Sequence, residues 1–360
     1  MNGVLNSGRR PRSPCTGSVL TRGPLTGLYF CTVLLAGACS RAPADPELPS
    51  PPDTERPTPA DTTPIPRPDT TRRLPTPPDT AAARRDRERA AARDDDAMRR
   101  RALLPRRRIV AFYGNPRSRQ MGILGALPPD QMLARLDAEV AEWERADPAT
   151  PVQPALHLIA VVAAGDPGSD GKYRIRQSRN TIEQVLTWAG RREAIVFLDI
   201  QPGRSTVREE LPRLLPYLER PNVHLALDPE WAMGANGVPG RTIGSLDVAS
   251  INYAIEALAG LVSEHDLPPK ILVVHRFTRN MVRNLGRLEA DPRVQLVLNM
   301  DGWGPPATKI SSYETFVATA PVEFTGFKLF YENDTRGGSA MMRPEEILRL
   351  SRIPIYIQYQ

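Results

Sequence analysis

Eight short apolar segments recur across residues 105–360, and each ends in polar residues. They are about eight or nine residues long and rich in Val, Ile, Leu, Phe and Tyr, as buried strands of parallel sheets are. The segments are Arg108–Asn115, Ala155–Ala163, Glu193–Gln201, Asn222–Glu230, Lys270–Phe277, Val294–Gly302, Phe324–Tyr331 and Ile353–Gln360. We therefore expect eight strands in this part of the chain.

Stretches of helical length separate the first seven segments from their successors, at about 129–145, 179–190, 206–219, 246–265, 279–289, 312–319 and 344–350. Strands that alternate with helices pair in parallel, because each crossover returns the chain to the same end of the sheet. Eight such units in roughly 250 residues are typical of a closed (β/α)8 barrel. Pro212 and Pro216 predict that the third helix is kinked or split.

No helical stretch follows the eighth apolar segment in this sequence. The predicted fold is therefore of the α/β class, a (β/α)8 TIM-type barrel that lacks the eighth helix. The outer flank of the first and last strands then needs another cover. A helix at 81–104 is one candidate for this cover, and a partner protein is the alternative.

Residues 1–39 have the pattern of an export signal. Arginines at 9, 10, 12 and 22 precede the apolar stretch Leu25–Ala38, which is short for a membrane span. The stretch closes on Leu-Ala-Gly-Ala-Cys-Ser, which resembles the lipobox of bacterial lipoproteins. The resemblance implies a signal peptide, lipidation of Cys39, and a lipoprotein exported and anchored to the outer face of the cell membrane. An ordinary cleaved signal and a short uncleaved anchor are the alternatives.

Residues 40–80 are dominated by Pro, Thr, Asp and Arg, and the triplet Pro-Asp-Thr occurs at 52–54, 68–70 and 78–80. Such a segment buries too little apolar surface to offset the entropy of ordering, so we expect a disordered tether. Residues 81–104 are charged and rich in Ala and Arg, which predicts a solvated helix or a linker. The barrel would then occupy 105–360.

The formal net charge of the chain is +6, and much of the excess lies in Arg84–Arg108, ahead of the predicted strands. Because no basic face interleaved with aromatic residues accompanies it, we do not expect nucleic acid as a partner. All three cysteines, Cys15, Cys31 and Cys39, lie in the first forty residues. The barrel can therefore form neither a disulfide nor a thiolate metal site.

The long loops follow the strands, and in (β/α)8 barrels this C-terminal side carries the chemistry. Side chains of a strand alternate between the lumen and the helices, so the aliphatic positions identify the outer face. The alternate positions then bring four carboxylates to one mouth, which we take as the candidate catalytic residues: Asp199, Asp228, Glu230 and Asp301. His157 and His224 lie deeper in their strands, and we interpret them as core histidines.

Further polar and aromatic residues at the strand ends are candidates for substrate binding. They are Tyr113, Asn115, Gln201, Trp231, His275, Arg276, Trp303, Lys328 and Gln358. Trp231 directly follows Glu230, and Trp303 lies two residues after Asp301. Each indole should stand at the rim beside a carboxylate, where an aromatic face can stack on a sugar ring.

The stretch Asp228-Pro-Glu-Trp231 resembles the Asp-x-Glu found on a strand of several (β/α)8 glycoside hydrolases. Glycoside cleavage needs one carboxyl group as acid and another as nucleophile or base. The resemblance implies that Glu230 is the general acid, with a pKa raised by Asp228, and that Asp301 or Asp199 is the nucleophile or base. The expected substrate is a cell-surface polysaccharide or glycan, and no organic cofactor is expected.

Two other functions fit the same residues. Asp199, Asp228, Glu230, Asp301 and His275 supply enough ligands for a divalent metal, so a metal-dependent hydrolase is possible although no compact metal motif is present. A non-catalytic lipoprotein that binds a glycan or another ligand at the same mouth is the other alternative.

Overall fold

Eight parallel strands form a closed barrel in the computed structural model, which describes residues 81–360. They are β1 (Arg108–Gly114), β2 (Val152–Ala163), β3 (Ile195–Ile200), β4 (Val223–Leu227), β5 (Lys270–His275), β6 (Val294–Met300), β7 (Phe324–Leu329) and β8 (Tyr356–Tyr359). Each pairs with its neighbours in chain order, and β1 pairs with both β2 and β8. The barrel predicted from the sequence is therefore confirmed. The predicted signal peptide, Cys39 and the tether at 40–80 lie outside the described residues.

Nine α-helices occur in the described part of the chain. They are α1 (Ala81–Arg101), α2 (Ile123–Ala126), α3 (Pro129–Ala146), α4 (Arg179–Gly190), α5 (Val207–Glu210), α6 (Leu215–Leu218), α7 (Val248–Glu264), α8 (Pro306–Tyr313) and α9 (Pro344–Ile347). The third predicted helix is split as expected, since the 3-10 turn Leu211–Arg213, which contains Pro212, separates α5 from α6. None of the helices within 81–360 is long and apolar enough to cross a membrane.

The prediction of a helix at 279–289 is wrong. The structure has two 3-10 turns there, Arg279–Met281 and Leu285–Arg287, on either side of a short strand that pairs with Leu246–Asp247. Asn284 adopts a left-handed conformation with φ of 59°, and its amide donates a 2.6 Å hydrogen bond to Asp247. This contact with a distant loop outweighs the local helical tendency.

The helix predicted at 312–319 begins earlier than expected. Helix α8 starts at Pro306, and the π-helical turn Glu314–Ala318 continues it. Proline is favoured in the first turn of a helix because its missing N–H has no helical partner there. The sequence signal for this start was present in Pro305 and Pro306.

The lumen of the barrel is packed with alternate residues of all eight strands. Its apolar layer consists of Ile109, Ala111, Ala155, Ile195, Phe197, Ala226, Ile271, Val273, Val297, Phe324 and Tyr356. Leu104, from the segment after α1, packs against this layer and is only 2% exposed. Its backbone N–H and carbonyl both bind the side-chain amide of Gln295 on β6. The N-terminal end of the barrel is therefore closed, and the C-terminal end carries the polar groups.

Helix α3 and a set of aromatic side chains cover the flank next to β8, where the described residues hold no eighth helix. The indole of Trp143 on α3 donates a 3.0 Å hydrogen bond to the Tyr359 hydroxyl. Tyr331 stacks on Tyr359 with ring centroids 5.5 Å apart, and Phe112 meets the same ring edge-on. Helix α1 was one candidate to cover this flank. It ends instead in an ion pair between Arg101 and Asp266, which lies shortly before β5.

Candidate active site

The C-terminal ends of the strands surround a cavity of about 650 Å³. Its polar lining includes six residues that the sequence predicted for this mouth: Tyr113, Gln201, Asp228, Glu230, Asp301 and Lys328. Asp228 and Asp301 follow β4 and β6 directly, and Lys328 lies on β7. Strand alternation therefore turns these side chains into the cavity, as expected.

Three carboxyl groups meet on one wall of the cavity. One oxygen from each of Asp228, Glu230 and Asp301 lies within 4.8 Å of the others. Glu230 belongs to the 3-10 turn Pro229–Trp231 that follows β4, so the turn carries Glu230 and the neighbouring indole to the same rim. Like charges this close cannot all ionise freely, and the group is suited to holding a proton.

The electrostatics of this wall favour protonated carboxyl groups. Burial and, after it, the charge of Asp301 raise the pKa of Glu230, the charge of Lys328 partly offsets both effects, and the resulting pKa is about 7. Burial raises the pKa of Asp228 well above its usual value, and the neighbouring carboxylates of Asp301, Asp199 and Glu230 add to this rise. The sequence attributed the raised pKa of Glu230 to Asp228. The structure attributes it first to burial and then to Asp301.

Lys328 is the cation among these acids. Its ammonium group lies 3.7 Å from the centroid of the Tyr113 ring, and its side chain is almost fully buried. Burial lowers the pKa of Lys328, although the surrounding carboxylates counteract this. The ammonium group stays directed at the cavity, where it can donate to an oxygen of a bound molecule.

Aromatic side chains form the apolar part of the cavity. Trp231 is half-buried and Trp303 is 57% exposed, and both line the opening together with Phe277 and Phe330. An indole with one open face beside a carboxyl group is able to stack on the apolar face of a sugar ring.

Three residues predicted for the site lie beneath the cavity rather than in its wall. Asp199, His275 and Gln358 are fully buried. Tyr113 lies above Asp199, with its hydroxyl donating a 3.3 Å hydrogen bond to the Asp199 carboxylate. Gln201 bridges the two levels, because its amide donates to both Tyr113 and Asp228.

Two other predicted binding residues have local structural roles. The side-chain oxygen of Asn115 accepts from the backbone N–H of Arg117, and this contact holds the turn after β1. The guanidinium of Arg276 donates to the backbone carbonyls of Thr278, Arg279 and Phe316. Neither residue is among those that line the cavity.

His157 is fully buried, as expected for a core histidine, and its Nε2 atom lies 3.8 Å from the Asp199 carboxylate beneath Tyr113, a contact that the sequence did not predict. The alternation used for Asp199 also predicts an inward His157, because Ala155 and Ile159 on the same face of β2 point into the barrel. Burial lowers the pKa of His157 to about 4, so the ring is neutral at physiological pH. His224 is a core residue, as expected, and accepts from the backbone N–H of Ile271.

A second cavity of about 630 Å³ adjoins the first and shares Gln120, Phe330, Asn333 and Gln360 with it. Three arginines line it: Arg119, Arg135 and Arg336. The guanidinium of Arg135 lies 3.6 Å from the centroid of the Tyr331 ring. The two cavities therefore adjoin, and arginine side chains line the second.

In the described chain, two groups of side chains bring three possible metal ligands within 4.8 Å of one another. One is the carboxyl trio of the cavity wall, which the raised pKa values favour as a proton-holding group. The other is His157, Asp199 and His275 beneath it.

No model of a known protein family matches the chain, and no curated protein matches it. The chemistry of the side chains that line the cavity is therefore what indicates a function.

Proposed function

We propose that the barrel mouth hydrolyses a glycosidic bond through paired carboxyl groups, with Glu230 as the general acid and Asp301 as the nucleophile. The observation that carries the proposal is the meeting of Asp228, Glu230 and Asp301 within 4.8 Å on the wall of a cavity rimmed by Trp231 and Trp303. Burial raises the pKa of Glu230 to about 7, which suits a group that must donate a proton near neutral pH.

Asp301 is better suited than Asp199 to the second role. Asp199 is fully buried under Tyr113, whereas Asp301 lines the cavity. One oxygen of Asp301 lies 3.2 Å from His275 Nδ1, and the other, Oδ1, has no hydrogen-bond partner among residues 81–360. His275 can therefore orient the carboxylate, and the buried Oδ1 atom is not engaged in another hydrogen bond.

The separation of the carboxyl groups favours a reaction that retains the anomeric configuration. Retaining enzymes have carboxyl groups about 5–5.5 Å apart, whereas inverting enzymes need about 6.5–9.5 Å to admit a water molecule. The nearest oxygens of this trio are no more than 4.8 Å apart. The shorter separation supports direct attack by Asp301.

The proposed reaction has two steps. Asp301 attacks the anomeric carbon while Glu230 transfers its proton to the leaving oxygen, which gives a glycosyl ester and a free alcohol. Glu230, now a carboxylate, then takes a proton from water as the water oxygen attacks the same carbon. This second step releases the sugar from Asp301 and returns both carboxyl groups to their starting states.

The substrate of this proposal is a glycan longer than one unit. Trp231 and Trp303 would stack on sugar rings at the cavity, and Lys328 would donate to a ring substituent. The adjoining cavity, with its three arginines, offers room for further units. The lipobox-like sequence at Cys39 supports a lipoprotein anchored to the outer face of the cell membrane, so a cell-surface polysaccharide is the substrate we propose.

The test is the release of reducing ends from a panel of bacterial cell-wall and extracellular polysaccharides. We expect release by the wild-type protein and a loss of about 100- to 10,000-fold in kcat for Glu230→Gln. Glu183→Gln is the matched control, because Glu183 lies on α4 and pairs with Arg220 away from the cavity. Equal turnover by Glu230→Gln would refute the acid assignment. Saturable binding with no turnover by any of the proteins would favour a glycan-binding lipoprotein instead.

A further inference from the structure

A second polar cluster lies inside the barrel, beneath the cavity wall. His157 on β2, Asp199 on β3 and His275 on β5 are fully buried. The Nε2 atom of His157 lies 3.8 Å from Asp199 Oδ2, and the Nε2 atom of His275 lies 3.9 Å from the same oxygen. Both distances are too long for a hydrogen bond, so the three groups face one point without contacting one another.

Three polar atoms of this cluster have no hydrogen-bond partner. His157 Nε2, His275 Nε2 and Asp199 Oδ1 are buried and make no hydrogen bond within the described chain, and Asp199 Oδ2 accepts from Tyr113. Buried polar atoms are nearly always paired, since an unpaired one loses its hydration without compensation. Three such atoms in one buried cluster indicate a ligand that the protein is built to hold.

The outer nitrogen of each imidazole is already engaged. His275 Nδ1 lies 3.2 Å from the carboxylate of Asp301, and His157 Nδ1 lies 2.6 Å from the Tyr356 hydroxyl. A proton on His275 Nδ1 leaves the Nε2 lone pair of that ring free and directed at the shared point. His157 Nδ1 also lies 3.0 Å from the Gln358 amide nitrogen, so binding of an ion at its Nε2 atom requires the ring proton to move to Nδ1 and the Gln358 amide to turn its oxygen toward the ring. Metal-binding histidines use the same arrangement, in which a carboxylate or hydroxyl holds the far side of the ring.

We propose that His157, Asp199 and His275 bind one divalent transition-metal ion, through both Nε2 atoms and the Asp199 carboxylate. Two imidazoles and a carboxylate favour an ion such as Zn²⁺, Mn²⁺ or Fe²⁺ over Mg²⁺ or Ca²⁺, which prefer oxygen ligands. Ligands about 2.0–2.1 Å from a tetrahedral ion are about 3.3 Å apart, so the two observed distances from Nε2 to the Asp199 oxygen need to close by only about half an ångström.

The position of the ion relates it to the catalytic wall without placing it in the reaction. The Tyr113 hydroxyl, bonded to Asp199, stands between the cluster and the cavity, and entry of the ion requires Tyr113 to move aside. An ion on His275 would fix that ring and, through its Nδ1 atom, the orientation of Asp301. The metal site would thus also position Asp301. Only this positioning role depends on the proposed function.

The test measures metal binding directly in the full chain. Cys15, Cys31 and Cys39 are first replaced by Ser in every protein, because their thiols could bind the same ions. After treatment with a chelator, calorimetry with Zn²⁺ should give one equivalent bound. Co²⁺ should give visible absorption bands of a low-coordinate site with nitrogen ligands. At 100-fold excess over Kd, Zn²⁺ should raise Tm by about 5–10 °C. A wild-type protein that binds no ion at one equivalent would overturn the proposal.

Variants assign the binding to these residues. His157→Gln and His275→Gln should lose the bound equivalent and the Co²⁺ bands, with circular dichroism confirming the fold. His224→Gln, an equally internal histidine of β4 outside the cluster, should keep both. Asp301→Asn should weaken Zn²⁺ binding by roughly 10- to 100-fold, since it removes the carboxylate behind His275. Full binding by His275→Gln would contradict the assignment.

Glu230→Gln separates this inference from the proposed function. The variant should bind Zn²⁺ as the wild type does while losing turnover, because Glu230 is not a ligand of the cluster. If no protein of the series binds an ion but turnover still depends on Glu230, the metal proposal fails alone. If the wild type and Glu230→Gln both bind the ion but the wild type turns over no glycan, the proposed function fails and the metal site stands.

Discussion

Replacing Glu230 with Gln should stabilise the protein at alkaline pH and change its stability little near pH 4.5. Burial, followed by Asp301, raises the pKa of this carboxyl from 4.5 to about 7 in the folded protein. The folded state therefore holds the proton more tightly than the unfolded state does. Below about pH 4.5 the group costs no stability, and the folded state loses stability as pH rises toward 7.

The magnitude follows from the difference between the two pKa values, which is about 2.5. At 1.36 kcal/mol for each pKa unit, ionisation of Glu230 costs about 3 kcal/mol of folding free energy at about pH 8. Gln has the shape of the protonated acid and cannot ionise. We expect Glu230→Gln to exceed the wild type in stability by about 2–3 kcal/mol at that pH, since residual solvent exposure of Glu230 reduces the full value.

The assay is urea unfolding of both proteins across the pH range, with the difference in unfolding free energy plotted against pH. Titration of groups remote from Glu230 contributes equally to both proteins and cancels in the difference. Glu183→Gln serves as the control with the opposite sign, because the hydrogen bond and charge of Arg220 lower the pKa of Glu183. Relative to the wild type, Glu183→Gln should lose stability as pH rises toward 4.5, with no further change at alkaline pH. A Glu230→Gln protein no more stable than the wild type at alkaline pH would refute the reasoning.

Three further predictions follow from the site and the core. If Glu230 is the general acid, kcat should fall about tenfold per pH unit above pH 7, because burial and Asp301 raise the pKa of Glu230 to about 7 against the charge of Lys328. If the same alkaline decrease in kcat persisted in Glu230→Gln, another group would be responsible for it. Trp303→Ala should raise KM by about 2- to 10-fold with little change in kcat, and steady-state kinetics would contradict stacking if KM were unchanged. Leu104→Ala should destabilise the barrel by about 2–5 kcal/mol in urea unfolding, whereas Leu103→Ala, which is less buried, should cost less.

The sequence predicted the barrel and most of its mouth because both depend on strand periodicity. A closed sheet leaves only two directions for each side chain, and the aliphatic residues of β4 and β6 identify the outer one. Asp228 and Asp301 must then point inward. The alternation of side chains along a strand does not depend on distant contacts, and for that reason the sequence alone predicts it.

Other positions could not be derived this way. Beyond the strand ends alternation no longer applies: Gly114 has φ of 148°, and the chain then turns so that Asn115 binds its own loop. The pairing of β2 with β3 is regular up to Ile159 and Asp199 and then shifts at an irregularity between Ile159 and Val161, so that Val161 pairs with Ile200. Such offsets are fixed by packing of the whole sheet and leave no local signal in the sequence.

The missing helix at 279–289 has a similar cause. Asn284 is held in a left-handed conformation by its contact with Asp247, which lies 37 positions away in the sequence. A local pattern cannot report such a contact. The crossover after β5 is therefore built of 3-10 turns, although its sequence is compatible with a helix.

The most direct test of the central claim is the covalent state of Asp301 during turnover. With an activated aryl glycoside that needs no acid to leave, Glu230→Gln should accumulate a glycosyl ester, because the variant lacks the base for its hydrolysis. Peptide mass spectrometry should then find one sugar on Asp301, and the Glu230→Gln, Asp301→Asn double variant should carry none. A sugar attached to another residue, or turnover of the aryl glycoside without any adduct and with inverted product, would contradict the account.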